Sequence, residues 1–388
     1  MSPVFLLSSI ILLLNVSVES TSSESSQSAP LSLLSTSSPG KCLDGSPSGY
    51  YFLPSSNQSE TRWTLDLYGG GECFSASSCQ AATKGPLGSS KYFPASADFN
   101  SYFSDSNPST NPGFAAWNHV QIAYCSQDLH SGQRTSTSSD TFGLFFSGHL
   151  SFKAILDELD LKGFVNATEI LVSGESAGGI GMWPNLDYTH IRYPAARVSG
   201  APIAGFYFFA YPYIGPNASK PELANFSPQG IQNLYALYNA KVVSGCATAY
   251  ASDPSPCMLG NYSFPYINAD IFASEAQSDA VVLSAHDNIN AADRYLPPEY
   301  AYLTQWALNM SIALSPLLSI NNLQHGVFTP ACWTHTNFNG IKIISATDGL
   351  SHTYLEAAFN WYSRNSDPHT YKLSDSLPLM SNPSCPPA

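Results

Sequence analysis

The stretch GESAGG at residues 174–179 places a serine between two glycines in the pattern Gly-x-Ser-x-Gly. In hydrolases this pattern puts the serine at a sharp turn from strand to helix, where its hydroxyl can attack a carbonyl carbon. Here the pattern follows the apolar run EILVSG (169–174), which is typical of a buried strand. We therefore predict that Ser176 is a nucleophile and that the N–H of Ala177 helps to bind the oxyanion; the alternative is a purely structural turn.

A serine nucleophile needs a base that takes its proton and an acid that orients the base. In hydrolases with this motif both partners follow the serine, with the acid before the histidine. The candidate histidines after Ser176 are His286, His325, His335, His352 and His369, and the candidate aspartates are Asp270, Asp279, Asp287 and Asp293. Chain order alone does not choose among them, although His335 lies near Cys332, where a disulfide could hold a catalytic loop.

A second candidate for oxyanion binding is the glycine run in LDLYGGGECF (65–74). Glycines at the end of a strand are most often a turn, because they reach positive φ without steric cost. The functional interpretation is that their uncovered N–H groups receive a small anionic group. The glycine run by itself favours the turn.

The surrounding pattern predicts elements that can position these groups. Alternating apolar residues at 63–67 and the run HVQIAY (119–124) indicate strands, and residues 149–161 have the spacing of an amphipathic helix. A further strand at 169–174 completes a strand, helix, strand order, which indicates a mostly parallel sheet flanked by helices. Further strands are expected in DIFASEAQ and IKIISA, whereas the aromatic stretch FYFFAYPYIG (206–215) is interpreted as core.

The chain has 388 residues and a net charge of −13, which excludes nucleic-acid binding as a main function because a strongly negative protein repels a polyanion. Residues 1–20 contain a short apolar segment that indicates a signal peptide, and residues 21–40 are serine-rich and predicted to be a disordered lead-in. Residues 41–388 are expected to form one α/β-hydrolase-like domain. We expect no membrane insertion, no metal, no cofactor and a monomeric protein.

The cysteines and possible glycosylation sites agree with secretion. An even eight cysteines, without a metal-ligand spacing, indicates disulfides in an oxidising compartment. Six Asn-x-Ser/Thr sites fit a secretory route: Asn57, Asn166, Asn217, Asn225, Asn261 and Asn309. The expected location is extracellular or in a cell wall.

Taken together, these motifs resemble the pectin acetylesterase and Notum family of secreted serine carboxylesterases. The resemblance covers most of the chain from Cys42 onward. It is carried by CLDGSPSGYY, LYGGGECF, WNHVQIAYCSQDLHSG, SGESAGGIG, ACWTHTN, FNWYSRN and SNPSCPP, in that order.

The resemblance implies roles for individual residues. It assigns the nucleophile to Ser176, the base to His335 and the acid to Asp279, seven residues after Phe272, with Glu275 as a competitor. It also implies that Gly70 and Gly71 are oxyanion donors together with Ala177. The implied disulfides are Cys42–Cys125, Cys73–Cys79, Cys246–Cys257 and Cys332–Cys385.

The sequence departs from the family pattern beside the glycine run. Tyr68 replaces the family's Glu before the glycines, Glu72 stands in place of its Trp after them, and Ile203 stands where relatives often have Asp. These changes affect the substrate pocket and leave the three catalytic positions intact. Since the Trp lines the acyl pocket in Notum-like members, its loss favours a short acyl chain.

The expected function is therefore removal of an acyl group, most simply acetyl, from an ester-modified polysaccharide such as pectin. Two alternatives stay open: a Notum-like deacylase that removes a lipid acyl group from a secreted protein, and a catalytically silent glycan-binding protein on a hydrolase scaffold. The acidic composition speaks against a polyuronate unless a local basic patch exists, so another acetylated glycan is also open.

Overall fold

The computed structural model describes residues 26–345, 347 and 349–387. The predicted signal peptide, residues 1–20, lies outside the described residues. The strands are β1 (Ser28–Leu33), β2 (Gly49–Leu53), β3 (Arg62–Leu67), β4 (Ser96–Asp98), β5 (Asn118–Ile122), β6 (Glu169–Glu175), β7 (Arg197–Ile203), β8 (Asp270–Ser274), β9 (Ser278–Asp279), β10 (His325–Thr329), β11 (Trp333–Thr334), β12 (Lys342–Ile344), β13 (Ser351–Thr353) and β14 (Lys372–Ser374). The helices are α1 (Ala76–Ala82), α2 (Gly148–Asp160), α3 (Ala177–Arg192), α4 (Pro228–Tyr238), α5 (Ser244–Ala249), α6 (Gly260–Ser263), α7 (Pro297–Leu318) and α8 (Tyr354–Tyr362).

Ten of the strands form one twisted sheet in the order β14-β10-β8-β7-β6-β3-β5-β2-β1-β4. The strands from β14 to β5 pair in parallel, whereas β2, β1 and β4 add an antiparallel edge. The predicted α/β-hydrolase-like class with a mostly parallel sheet is thus confirmed. Since parallel strands end at the same edge, the residues after β3, β6, β8 and β10 meet there.

Both faces of the central strands are buried, which is why these strands are apolar without strict alternation. In β6, Ile170 and Val172 pack in the core that contains α2, α3 and α7. Between them, Leu171 points to the opposite face and packs with α8. The sheet therefore lies between two helical layers, as the order of strand, helix and strand predicts.

The prediction that residues 21–40 are a disordered lead-in is wrong for the described part of this segment. Residues 28–33 form β1, which pairs with β2 on one side and with β4 on the other. Backbone hydrogen bonds to two neighbours hold this strand despite its serine-rich composition. Ala29 is also buried in a small apolar cluster with Tyr51 and Phe99.

The strand predicted in IKIISA forms as β12, but it pairs with β13 in a separate two-stranded sheet rather than joining the central one.

The four disulfides link the same pairs that the resemblance implies, namely Cys42–Cys125, Cys73–Cys79, Cys246–Cys257 and Cys332–Cys385. Of the six predicted glycosylation sites, Asn57, Asn166, Asn217 and Asn309 are exposed, and Asn225 and Asn261 are half-buried. Within the described ranges, no helix has the length and apolar character needed to cross a bilayer.

Candidate active site

Ser176 lies in a strained turn between β6, which ends at Glu175, and α3, which begins at Ala177. Its backbone has φ 56° and ψ −119°, a combination that L residues avoid unless the surrounding structure enforces it. The neighbouring glycines make the turn possible: a Cβ on Gly178 would lie 1.9 Å from the carbonyl oxygen of Leu67. The helix therefore packs directly against the end of β3, and the serine projects from the sheet edge.

His335 and Asp279 are brought together by a short parallel pairing beyond the central sheet. β11 pairs with β9, with Thr334 opposite Asp279, and this places the ring of His335 beside the carboxylate. The Nδ1 atom of His335 lies 2.9 Å from Oδ1 and 2.8 Å from Oδ2 of Asp279. Nδ1 therefore carries a proton and donates it to the carboxylate, which is the arrangement that orients a catalytic base.

Asp279 is held as an anion by several donors. Its Oδ1 accepts hydrogen bonds from the N–H groups of Val281 and Val282 at 3.0 and 2.8 Å, and its Oδ2 accepts one from the Tyr207 hydroxyl at 3.1 Å. Burial would raise the pKa of Asp279, but the charge and hydrogen bond of His335, together with hydrogen bonds from the N–H of Val282 and from Glu275, lower it below its ordinary value. The carboxylate stays charged although its side chain is fully buried.

The other ring nitrogen of His335, Nε2, has no hydrogen-bond partner among the described residues, and Ser176 and His335 line the same cavity. With Nδ1 protonated and bonded to Asp279, the neutral imidazole presents Nε2 as an acceptor. This is the atom that a serine hydroxyl would use in proton transfer.

The competing acid, Glu275, takes a different position. Its Oε2 accepts the N–H of Phe206 at 3.2 Å, and it makes no hydrogen bond with His335 among the described contacts. Burial, followed by the charge of neighbouring Asp279, raises the pKa of Glu275 well above its ordinary value. These effects disfavour the charged form of Glu275, whereas the environment of Asp279 favours the charged form of that residue.

The other histidines and aspartates that chain order allowed do not form such a pair. His325 accepts the N–H of Ile271 at the opposite, amino end of the parallel strands, where Asp270 binds Arg197. Of the remaining candidates, His286 lines the cavity that contains Ser176. Four others are not among the residues that line it: Asp287, Asp293, His352 and His369.

The glycine run lies against Ser176. A Cβ on Gly69 would lie 3.0 Å from the Cβ of Ser176, while Gly70 and Gly71 have φ values of 141° and 67° that favour glycine. Their carbonyl groups are fixed, since Gly70 accepts from Gln127 at 3.0 Å and Gly71 accepts from the Tyr124 hydroxyl at 2.9 Å.

The N–H groups of Gly70, Gly71 and Ala177 donate to no acceptor in the part of the chain that the structure describes. Unpaired donors next to a nucleophile are the geometry expected of an oxyanion hole. The hydrogen-bonded carbonyl groups of Gly70 and Gly71 hold the glycine loop in a conformation in which these N–H groups stay unpaired.

The cavity beside Ser176 has a volume of about 450 Å³. Part of its wall is apolar, but Glu72, Glu175 and His286 add polar groups, and none of the described lining residues is a Lys or Arg. The lining residues are Gly69, Gly70, Gly71, Glu72, Leu129, Glu175, Ser176, Ala177, Ile180, Tyr207, Leu223, Phe226, Val281, Val282, His286, His335 and Thr336.

Sequence reasoning missed two contributors to this site. Tyr207 belongs to the aromatic stretch interpreted as core; it is buried, but it also lines the cavity and bonds to Asp279. In the same stretch Tyr211 and Ile214 are 71% and 91% exposed, so the core interpretation is wrong for them. The proximity of His286 to Glu72 had no signal in the sequence.

Comparison with known proteins gives consistent results. Residues 22–386 match the pectinacetylesterase family. Pectin acetylesterase 5 of Arabidopsis thaliana is 29% identical over 365 residues, which cover 89% of this chain and 81% of that protein. The palmitoleoyl-protein carboxylesterase NOTUM of Mus musculus is 28% identical over 366 residues, covering 89% of this chain and 70% of the relative. The NOTUM protein of Drosophila melanogaster is 26% identical, and the match covers 85% of this chain but only 49% of its own length.

Proposed function

Because the chain belongs to the pectinacetylesterase family of carboxylic ester hydrolases, we propose that it removes a short acyl group, acetyl in the first place, from an ester-modified polysaccharide by a Ser-His-Asp mechanism. The observation that carries this proposal is the pair of His335 nitrogens: Nδ1 is bonded to Asp279, and Nε2 is unpartnered in the cavity of Ser176. A catalytically silent scaffold has no need of such an arrangement, nor of the strained backbone of Ser176.

In the proposed reaction Nε2 of His335 takes the hydroxyl proton of Ser176 while the serine oxygen bonds to the ester carbonyl carbon. The oxyanion that forms accepts hydrogen bonds from the N–H groups of Gly70, Gly71 and Ala177. The protonated imidazole then gives its proton to the departing alcohol, which leaves an acyl-serine. A water molecule, deprotonated by His335, attacks the acyl-serine and releases the carboxylic acid and the free enzyme.

The cavity favours a short acyl group over a lipid chain. A long alkyl chain is stabilised by an uninterrupted apolar lining, at about 0.8 kcal/mol for each buried CH₂ group. Here the wall is interrupted by the carboxyl group of Glu72 and the imidazole of His286. Placing a methylene chain against them would cost the solvation of both groups. Deacylation of a lipid-modified protein, which the names of the NOTUM relatives describe for those proteins, is the second candidate.

The site is expected to operate outside the cell. Four disulfides and the absence of free cysteines among the described residues are typical of proteins that fold in an oxidising compartment. We propose that the chain is secreted, as a monomer, to the extracellular space or cell wall.

Hydrolysis of p-nitrophenyl esters from acetyl to palmitoyl tests the proposal. We expect kcat/KM to be highest for the shortest chains, and Ser176→Ala to lower kcat for p-nitrophenyl acetate by at least about 10³-fold. Ser139→Ala, at an exposed serine, is the matched control and should behave as wild type. A preference for palmitoyl esters would instead favour the lipid deacylase, and full activity of Ser176→Ala would contradict the mechanism.

A further inference from the structure

Glu72 and His286 lie side by side in the wall of the catalytic cavity, although 214 positions separate them in the chain. Their nearest side-chain atoms, Oε1 of Glu72 and Nδ1 of His286, are 3.8 Å apart, and both side chains are nearly fully buried. Phe226 covers one face of the imidazole with its ring centroid 4.3 Å away. The pair is thus rigidly placed, in a site that is otherwise partly apolar.

Each member of the pair uses one polar atom to hold the loop around Ala224. Glu72 Oε1 accepts the N–H of Ala224 at 3.0 Å, and His286 Nδ1 lies 2.5 Å from the carbonyl oxygen of the same residue, so Nδ1 donates. The second polar atom of each side chain, Oε2 of Glu72 and Nε2 of His286, bonds to no residue that the structure describes. These two atoms are therefore open to a bound molecule, with Oε2 of the carboxylate and Nε2 of the Nδ1-protonated imidazole as acceptors.

The charge of the cavity limits which molecules can bind there. Glu72 and Glu175 line it, and among the described lining residues there is no Lys or Arg side chain. Burial raises the pKa of Glu72, while His286 acts in the opposite direction. The cavity therefore presents two carboxyl groups and no permanently positive side chain from the described residues.

Space is available for more than the acyl group. An acetyl group has about three heavy atoms and, at about 30 Å³ for a water-sized group, occupies about 90 Å³. The cavity volume of about 450 Å³ leaves room for part of the alcohol side of the ester. On a glycan this side is a sugar ring with hydroxyl groups, which are hydrogen-bond donors as well as acceptors.

We propose that Glu72 and His286 form a hydroxyl-binding subsite that makes this enzyme selective for an acetyl ester on a neutral sugar over one on a uronate. The proposal rests on the proposed function and narrows its substrate class. A neutral sugar hydroxyl donates to Glu72 Oε2 or His286 Nε2, whereas a uronate carboxylate would be desolvated beside two carboxyl groups, with no Lys or Arg side chain among the described lining residues to pair with it.

The test compares acetate release by the full-length secreted protein from acetylated xylo-oligosaccharides, which are neutral, and from acetylated oligogalacturonates. We expect kcat/KM to be about tenfold or more higher for the neutral substrate, given the size of one hydrogen bond to a charged group. Raising the ionic strength should narrow this ratio, because salt screens repulsion of the uronate. This comparison needs only the wild-type protein, so it does not depend on the folding of a variant.

The Glu72→Gln variant tests whether Glu72 causes the preference for the neutral substrate. The amide keeps the size of the side chain, and its oxygen can still accept a hydrogen bond from the N–H of Ala224. We expect the neutral-to-uronate ratio of kcat/KM to fall at least about fivefold. Glu222→Gln is the matched control: Glu222 lies in the same loop but is exposed, and its variant should keep the wild-type ratio.

Preference of the wild type for the uronate, or an unchanged ratio in Glu72→Gln, would overturn the proposal. Loss of uronate activity in Arg294→Gln would do so as well, since it would assign carboxylate binding to Arg294, whose guanidinium lies 5.4 Å from the Trp333 ring centroid. Hydrolysis of p-nitrophenyl acetate by the wild type distinguishes failure of the proposed esterase function from failure of the inference about sugar selectivity. If no ester is cleaved, the proposed function fails; if it is cleaved and the uronate is preferred, only this inference fails.

Discussion

Replacing the buried acid in Asp279→Asn tests the proposed mechanism at the contact that orients the base. The amide has the same shape as the carboxylate, and its oxygen can still accept the N–H groups of Val281 and Val282, which bond to Oδ1 in the wild type. The amide nitrogen then takes the place of Oδ2, 2.8 Å from Nδ1 of His335. The substitution therefore removes the negative charge with little change in packing.

The size of the effect follows from the charge that develops during the reaction. In the transition state His335 becomes a cation next to the buried carboxylate. Two opposite unit charges about 4 Å apart attract by about 4 kcal/mol at an effective dielectric constant of about 20. Loss of this attraction corresponds to about a 10³-fold lower kcat, whereas KM should change little because the ground state holds a neutral imidazole.

The assay is steady-state hydrolysis of p-nitrophenyl acetate, with thermal unfolding of each variant to verify that it folds. Asp293→Asn is the control, since Asp293 was equally allowed by chain order but makes only a local bond to Asn290. We expect this control to keep wild-type kcat. A folded Asp279→Asn variant that retains more than about a tenth of kcat would refute the assignment of the acid.

Three further predictions concern stability. Gly178→Ala should lower the free energy of unfolding by about 1–3 kcal/mol or more, because its Cβ would lie 1.9 Å from the carbonyl oxygen of Leu67. Burial and then the charge of a nearby glutamate raise the pKa of Asp66 to about 8 from an ordinary 3.8, so the folded state binds more protons between these values. The free energy of unfolding should thus fall as pH rises from about 4 to about 8, and Asp66→Asn should reduce this fall. Replacing Cys332 and Cys385, which are 53 positions apart, by Ser should cost about 4 kcal/mol through loop entropy.

All three are measured by denaturant unfolding. Gly85→Ala is the control for the glycine, because a Cβ there meets no atom within 4 Å. Removal of the Cys73–Cys79 pair, which are only 6 positions apart, should cost about 2 kcal/mol, less than the long-range pair. The first prediction is contradicted if Gly178→Ala has the same free energy of unfolding as the wild type. The second is contradicted if this free energy varies with pH equally in the wild type and in Asp66→Asn. The third is contradicted if removal of the short-loop disulfide lowers the free energy of unfolding more than removal of the long-range one.

Local patterns were sufficient for much of the fold. The predicted strands before both glycine motifs form as β3 and β6, and the helix between β5 and β6 forms as α2. Each is specified by apolar spacing within a few residues, and chain connectivity then restricts the sheet to parallel pairing. The lead-in was misjudged for the converse reason: composition indicates whether a segment folds alone, but β1 is stabilised by partners far along the chain.

For the candidate site, the sequence by itself determined the nucleophile motif, its position between strand and helix, and the order in which acid and base must follow. These depend on neighbouring residues and on small side chains at a tight turn. It did not select Asp279 or His335 without the family resemblance. The structure brings this pair together through β9 and β11, a contact between segments 56 positions apart.

Only the tertiary structure decided what surrounds the nucleophile. The proximity of Glu72 to His286, the hydrogen bond from Tyr207 to Asp279 and the lack of Lys or Arg among the described lining residues arise from loops that converge at one edge of the sheet. Distances between such loops are set by how the whole sheet and its helices pack, and local sequence preferences do not encode them. The candidate nucleophile was therefore predictable from the chain, whereas the polar character of its pocket was settled by the fold.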